Sequence, residues 1–352
     1  MMRLPYFTYH APRSLNEAVD LLARGGAMVI AGGTDLLPNM KRRQQVPRAL
    51  VGLRGLTELR HVSNGDGVTI GAGVTLSEIV RDMRFRRPYA GLWQAASQIA
   101  TPQLRNMGTI GGNLCLDTRC NYYDQNYEWR KAIDFCMKKD ERASERGAPQ
   151  VCWVATSSPR CLAVSSTDTA PALVALGATV TLTGPDGART IPLTALYRND
   201  GIDYLTRRPH EILTSVHLAA LDGWKSTYWK LRRRGSFDFP VLGVAAALKL
   251  AADGTVEASR IVLGAVASRP LESPDAALAL AGKRLTDEVI AEAAALAAQP
   301  ARPMDNTDYT LHWRKRVTRD LVVYALRELR GDDTRGLRRK IARIEMLSIA
   351  NP

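Results

Sequence analysis

Gly108-Thr109-Ile110-Gly111-Gly112-Asn113 opens the stretch on which the fold turns, and Ser165-Ser166-Thr167-Asp168 closes it. Between them lie all five cysteines, Cys115, Cys120, Cys136, Cys152 and Cys161. Glycine lets a backbone approach a ligand closely and adopt positive φ. Thiols gathered in one segment and absent elsewhere point to a common task. The two features side by side mark a cofactor site.

An upstream stretch has the same character. Ala27–Ala31 is a short apolar run that enters Gly32-Gly33-Thr34-Asp35-Leu36, which reads as strand, tight turn and helix. Successive N–H groups in such a turn can cradle an anion, helped by the positive end of the following helix. Neither turn matches G-x-G-x-x-G or a P-loop, and each alone reads equally as a plain connection. Together they suit a long ligand held along its diphosphate from two sides, and FAD is such a ligand. Asn113 adds a side-chain donor and acceptor, and Asp168 can accept from a ribitol or ribose hydroxyl. Lys230 can reach a phosphate or the pyrimidine edge of a flavin.

Cys120, Cys136, Cys152 and Cys161 are separated by 15, 15 and 8 residues. Structural zinc favours close cysteine pairs, so zinc fits poorly. An iron–sulfur cluster needs four thiolates and tolerates irregular spacing. Tyr122, Tyr123, Tyr127, Trp129, Phe135 and Trp153 are interleaved and could keep water away. Cys115, directly after Asn113-Leu114, belongs near the second turn and reads as a small core residue.

Outward from this segment, apolar patterning predicts helices at 15–22, 75–83, 89–99 and 170–176. Strands are expected at 49–53, 68–72, 178–183, 188–191 and 211–218, with Gly184-Pro185-Asp186-Gly187 as a hairpin turn. After Gly223-Trp224 a last domain starts with strands at 226–232, 242–250 and 258–265. It becomes alanine- and leucine-rich and helical from Pro274, ending in an amphipathic helix over 309–330.

The 352 residues suffice for two or three packed domains. No apolar run approaches the roughly 18–20 residues of a membrane span. Met1–Ala11 shows no signal-peptide pattern, so a cytoplasmic protein is expected. There disulfides are disfavoured, and metal binding becomes the first alternative for an odd cysteine count. Lys and Arg number 48 against 35 Asp and Glu, a net charge of +13. The excess is dispersed in Lys41-Arg42-Arg43, Arg232-Arg233-Arg234, Arg314-Lys315-Arg316 and Arg338-Arg339-Lys340. Such dispersal argues against nucleic-acid binding and for solvated surface or acidic partner subunits. His10, His61, His210, His217 and His312 are scattered away from both turns, so no catalytic acid or base is assigned.

These motifs resemble the FAD-binding medium subunit of molybdenum hydroxylases of the xanthine dehydrogenase type, over nearly the whole chain. The resemblance implies an α+β chain with the vanillyl-alcohol-oxidase/p-cresol-methylhydroxylase-type FAD-binding fold. Its divisions would be lobe 1 (1–56), lobe 2 (57–222) and a C-terminal domain (223–352) of a three-stranded sheet with helices. It assigns flavin contacts to Val29, Ile30, Ala31, Gly32, Gly33, Thr34, Asp35 and Leu36. It also assigns them to Thr109, Ile110, Gly111, Gly112 and Asn113, and to Asp168, Leu213 and Lys230.

The insertion at about 115–162 is similar to that of a narrower set, the 4-hydroxybenzoyl-CoA reductase β subunit and some bacterial aldehyde oxidoreductase flavin subunits. Asp117-Thr118-Arg119-Cys120 with Tyr122-Tyr123 looks most like the former. That likeness implies a 4Fe–4S cluster on Cys120, Cys136, Cys152 and Cys161, with the charged run Lys138–Arg146 as an extra loop. The implied partners are a molybdopterin large subunit and a small subunit with two 2Fe–2S clusters, in a heterotrimer or a dimer of heterotrimers. The function so implied is electron transfer, with substrate chemistry at molybdenum in the partner. An aldehyde or N-heterocycle dehydrogenase subunit and a free-standing flavin oxidase are the alternatives.

Overall fold

The computed structural model describes residues 3–139 and 151–342. From Asp140 onward, the charged run to Arg146 lies outside the described residues.

Three sheets organise the chain. β1 (Thr8–His10), β2 (Ala27–Ile30) and β3 (Ala49–Gly52) form a parallel sheet in the order β1-β3-β2. The helix Leu15–Ala23 buries Ala18, Val19 and Leu22 in a core shared with Val51 and Leu53. Ser14 caps it by accepting the Glu17 N–H at 3.2 Å.

β4 (Val62–Gly65), β5 (Gly67–Gly71), β6 (Thr179–Gly184), β7 (Gly187–Pro192) and β8 (Ile212–Leu218) form an antiparallel sheet, ordered β4-β5-β8-β6-β7. The thiol segment is inserted between β5 and β6, after the helix Ile110–Leu114.

β9 (Trp224–Leu231), β10 (Leu242–Leu250), β11 (Val256–Gly264) and β12 (Leu271–Glu272) form the third sheet, ordered β12-β11-β10-β9. The sequence predicts three strands here. The fourth is a two-residue edge, paired Val262↔Glu272 and Leu263↔Leu271, too short to display an alternation. β1 and β4 escape the sequence reading for a related reason: Thr8–His10 has three residues, and Val62–Gly65 is mostly exposed.

The third sheet is covered on both faces, and its side chains divide by the strand period of two. Tyr228, Ala245, Ala247 and Val262 join the core of the second lobe. Trp229, Val244, Ala246, Leu248 and Ile261 join a separate core with the helices Pro274–Leu280, Asp287–Ala298 and Leu311–Arg330. Tyr228 and Lys230, two apart on β9, therefore face the second lobe together.

The basic clusters are not simply solvated surface. Arg232 is 6% exposed, and Arg314 and Arg338 are fully buried. Arg314 donates to the carbonyls of Val241 and Met304 at 3.2 and 3.0 Å. Arg338 pairs with Glu328 with both side chains at 0% exposure, donates to Tyr228 O at 2.8 Å and lies 3.9 Å from the Trp229 ring. Removing one partner strands the other charge in low dielectric. Arg338→Ala should therefore cost about 3–5 kcal/mol in urea unfolding; an unchanged midpoint would contradict this account of how the C-terminal helix fastens β9.

Among the described residues no helix is long and apolar enough to cross a membrane.

Candidate functional site

A cavity of about 730 Å³ lies between the first and second sheets and is bordered by Phe237, Asp238 and Phe239, which lie between β9 and β10; its size falls within the range of ligand sites. Val29 to Leu36 all line it, as do Thr109, Gly111, Gly112, Asn113, Asp168 and Leu213. Ile110 does not. It and Leu114, four residues apart on one helix face, are fully buried in the core.

Gly32 stands against the peptide that leads into the second turn. A Cβ there would lie 1.9 Å from the Met107 carbonyl oxygen. Backbone meets backbone, so no side chain is tolerated. In the second turn Thr109 Oγ1 accepts the Gly112 N–H at 3.0 Å. Asn113 Oδ1 accepts from Thr167 Oγ1 at 2.8 Å and Thr169 Oγ1 at 2.6 Å, tying this turn to the segment that carries Asp168.

Asp168 is 3% exposed. Its two oxygens accept from Tyr228 Oη at 2.8 Å and Lys230 Nζ at 2.9 Å. Burial pushes its carboxyl up, against the pull of the Lys230 charge. Burial likewise pushes the Lys230 ammonium down, against Asp168. The sequence reading sends Lys230 to a phosphate or a flavin edge. The structure instead commits its ammonium to Asp168 and, at 3.2 Å, to Gln98 O, and Lys230 is not in the cavity wall. It acts by holding Asp168.

Several wall residues were not legible as site residues. Ser166 Oγ is buried and has no hydrogen-bond partner among the described residues, although it lies inside the motif that supplies Asp168. Ala100 has φ 43°, and the neighbouring carbonyls are gripped by Arg105 (to Ile99 O, 2.7 Å), Lys230 and Arg232 (both to Gln98 O, 3.2 Å). Left-handed backbone at a non-glycine residue persists only where its surroundings enforce it, and such places cluster at functional sites.

Arg119 pairs with Asp35 of the first turn and with Asp124 at 3.5 Å, and it lies 3.8 Å from the Phe239 ring. Cys115, expected near the second turn as a small core residue, packs at the edge of that core, half-buried, and also lines the cavity. None of the five histidines is in the wall. The size of the cavity, its turn-on-turn closure and the orphaned Ser166 hydroxyl fit a bound dinucleotide.

Cys120, Cys136, Cys152 and Cys161 are all free and between 5% and 9% exposed. Burial pushes Cys120 up to about 12 and Cys161 to about 11. Cys120 and Cys161 share one cluster with Tyr123 and Ala163, Met137 packs on it, and the Met137 N–H donates to Val151 O at 2.9 Å, which brings the stretches carrying Cys136 and Cys152 together beside it. Peptide N–H groups oppose the rise: Tyr122 at Cys120, Lys138 and Lys139 at Cys136, and Ala163 at Cys161. Cys120 and Cys161, so reluctant to ionise, make poor nucleophiles.

Among the described residues no group of three or more His, Cys, Asp or Glu side chains is placed to hold a metal ion. The thiol-only donor set is of the kind an iron–sulfur cluster takes.

The thiol knot and the cavity share a wall. Asp117 and Arg119 line the cavity, and Cys120 follows them in the chain. On the far side, Gly201 packs so tightly on Cys161 that a Cβ would lie 2.6 Å from its sulfur, and Tyr204 of the same loop lines the cavity. Of the interleaved aromatics, Tyr123 and Phe135 are buried at 2% exposure, whereas Trp129 and Trp153 are 38% and 40% exposed.

Fold and site together suit a subunit that binds a flavin nucleotide. The model of the family described as "FAD binding domain in molybdopterin dehydrogenase" matches residues 5–220. That of the "CO dehydrogenase flavoprotein C-terminal domain" matches 226–329. The chain is 34% identical over 301 residues to the aldehyde oxidoreductase FAD-binding subunit of Escherichia coli, covering 82% of this chain and 90% of that one. It is 29% identical to the carbon monoxide dehydrogenase medium chain of Hydrogenophaga pseudoflava, covering 87% and 92%. A solved carbon monoxide dehydrogenase structure from that organism superposes with a TM-score of 0.74 at 27% identity, over 92% of this chain and 97% of that chain. The chain belongs to the FAD-binding medium subunits of the xanthine dehydrogenase family of molybdenum hydroxylases, and is an oxidoreductase subunit.

Proposed function

We propose that this chain is an electron-transfer subunit that holds FAD between its two glycine turns and a 4Fe–4S cluster on Cys120, Cys136, Cys152 and Cys161. The observation that carries the proposal is the shared wall. Residues 117–120 run from the cavity lining directly into the thiol knot, and residues 201–204 do the same in reverse. FAD exchanges two electrons and an iron–sulfur cluster one, so the pair divides or combines electrons.

The protein's own part is to bind, orient and keep water out. Gly32 and Gly111 let the turns close, Tyr228 and Lys230 fix Asp168, and Arg119 ties the first turn to the thiol loop. No side chain in the wall needs to move a proton to or from a substrate. Substrate chemistry belongs to a molybdopterin subunit, with a small subunit carrying two 2Fe–2S clusters between them.

The similarity to an aldehyde oxidoreductase subunit favours an aldehyde or N-heterocycle dehydrogenase complex. The insertion's Asp117-Thr118-Arg119-Cys120 followed by Tyr122-Tyr123 favours a 4-hydroxybenzoyl-CoA reductase type, and is the observation behind that second reading. Purified from its native source, the chain should bring a molybdenum-containing large chain and a small iron–sulfur chain with it. The isolated chain should oxidise no aldehyde, whereas turnover by it alone would favour a free-standing flavin oxidase.

A further inference from the structure

Lys138 belongs to the charged run that reads as an extra loop, and its side chain is 6% exposed. Its Nζ lies 2.7 Å from the Asp117 carboxylate and donates to Gly201 O at 2.8 Å and Thr118 O at 3.2 Å. The rings of Tyr123 and Tyr204 flank it at 4.6 and 5.4 Å. Asp117 and Tyr204 line the flavin cavity, while Gly201 is packed on Cys161. The ammonium is therefore lodged inside the wall between cavity and thiols.

The two charges come from the two sides of that wall: Asp117 lines the cavity, and Lys138 follows Cys136 by two residues.

We propose that Lys138 is a positioning residue that tunes the thiol-held centre: its fixed positive charge, on the side facing the flavin, stabilises the electron that centre receives. This rests on the reading of the four thiols as cluster ligands. In the loaded chain one electron from reduced flavin would add one negative charge and no proton at the cluster, and a buried cation in low dielectric would offset that charge. Asp117 holds the ammonium in place and limits its effect.

The test is a potentiometric titration of the full chain, following the cluster by EPR and the flavin by absorbance, with iron assayed in every sample. Lys138→Met should lower the cluster potential and move the flavin potential less. Lys138→Arg should return the cluster potential towards wild type, and Asp117→Asn should raise it. A fully loaded Lys138→Met variant with the wild-type cluster potential would overturn the proposal. If Lys138→Met fails to hold iron, Asp117→Asn decides, and an unchanged potential in that variant overturns it. Loss of iron from both would assign the pair to holding the loop, and overturn it equally. Wild-type chain without iron would instead defeat the cluster reading itself, a separate and recognisable outcome.

Discussion

Gly32→Ala should yield a folded chain that retains almost no flavin. The added methyl would lie 1.9 Å from the Met107 carbonyl oxygen and 2.5 Å from its carbon, both backbone atoms. No rotamer change relieves such a contact, and overpacking of this kind costs roughly 1–3 kcal/mol or more. The strain falls on the junction of the two turns, so it should separate the surfaces that grip the ligand before it unfolds either lobe. The measurement is flavin released per chain on denaturation, beside the thermal unfolding midpoint. Full flavin content in this variant would contradict the account of turn-on-turn closure. Gly26→Ala, in the same lobe but with its nearest side-chain atom 3.8 Å away and φ 74°, is the control. It strains backbone without touching the cavity closure and should keep its flavin.

The second large effect concerns the thiols. Cys120→Ser and Cys161→Ser should each lose most of the iron while keeping FAD, because a cluster needs four thiolates. Cys115→Ser should keep both iron and flavin: Cys115 lines the cavity and is not one of the four grouped thiols. Iron content and flavin content per chain read this out together. If Cys115→Ser lost iron and Cys120→Ser did not, the ligand assignment would be wrong.

The pattern of what was legible follows from range. The two glycine turns could be read because local sequence dictates them: in the first a short apolar strand runs into Gly32-Gly33, and in the second Thr109 caps the helix that holds Gly111 and Gly112. The long strands of the third sheet were equally legible. Strands of two or three residues were not, since β12 and β1 are too short to show a period. The site's electrostatics were the hardest part. Lys230 was singled out for a ligand, but its ammonium is taken by Asp168, a pairing across 62 positions that no local pattern records. Arg314 and Arg338 sit in basic clusters that read as surface, and Lys138 in a charged run that reads as an extra loop, yet each side chain is buried because partners distant in sequence surround it. Arg119 carried no signal beyond its place beside Cys120, although it joins the first turn, the thiol loop and Phe239.

The most direct test of the central claim is metal, acid-labile sulfide and flavin analysis of the full chain purified without air. The account predicts about four iron and about four sulfide for each FAD. Zinc in place of iron, or four unligated thiols beside a full complement of flavin, would contradict it.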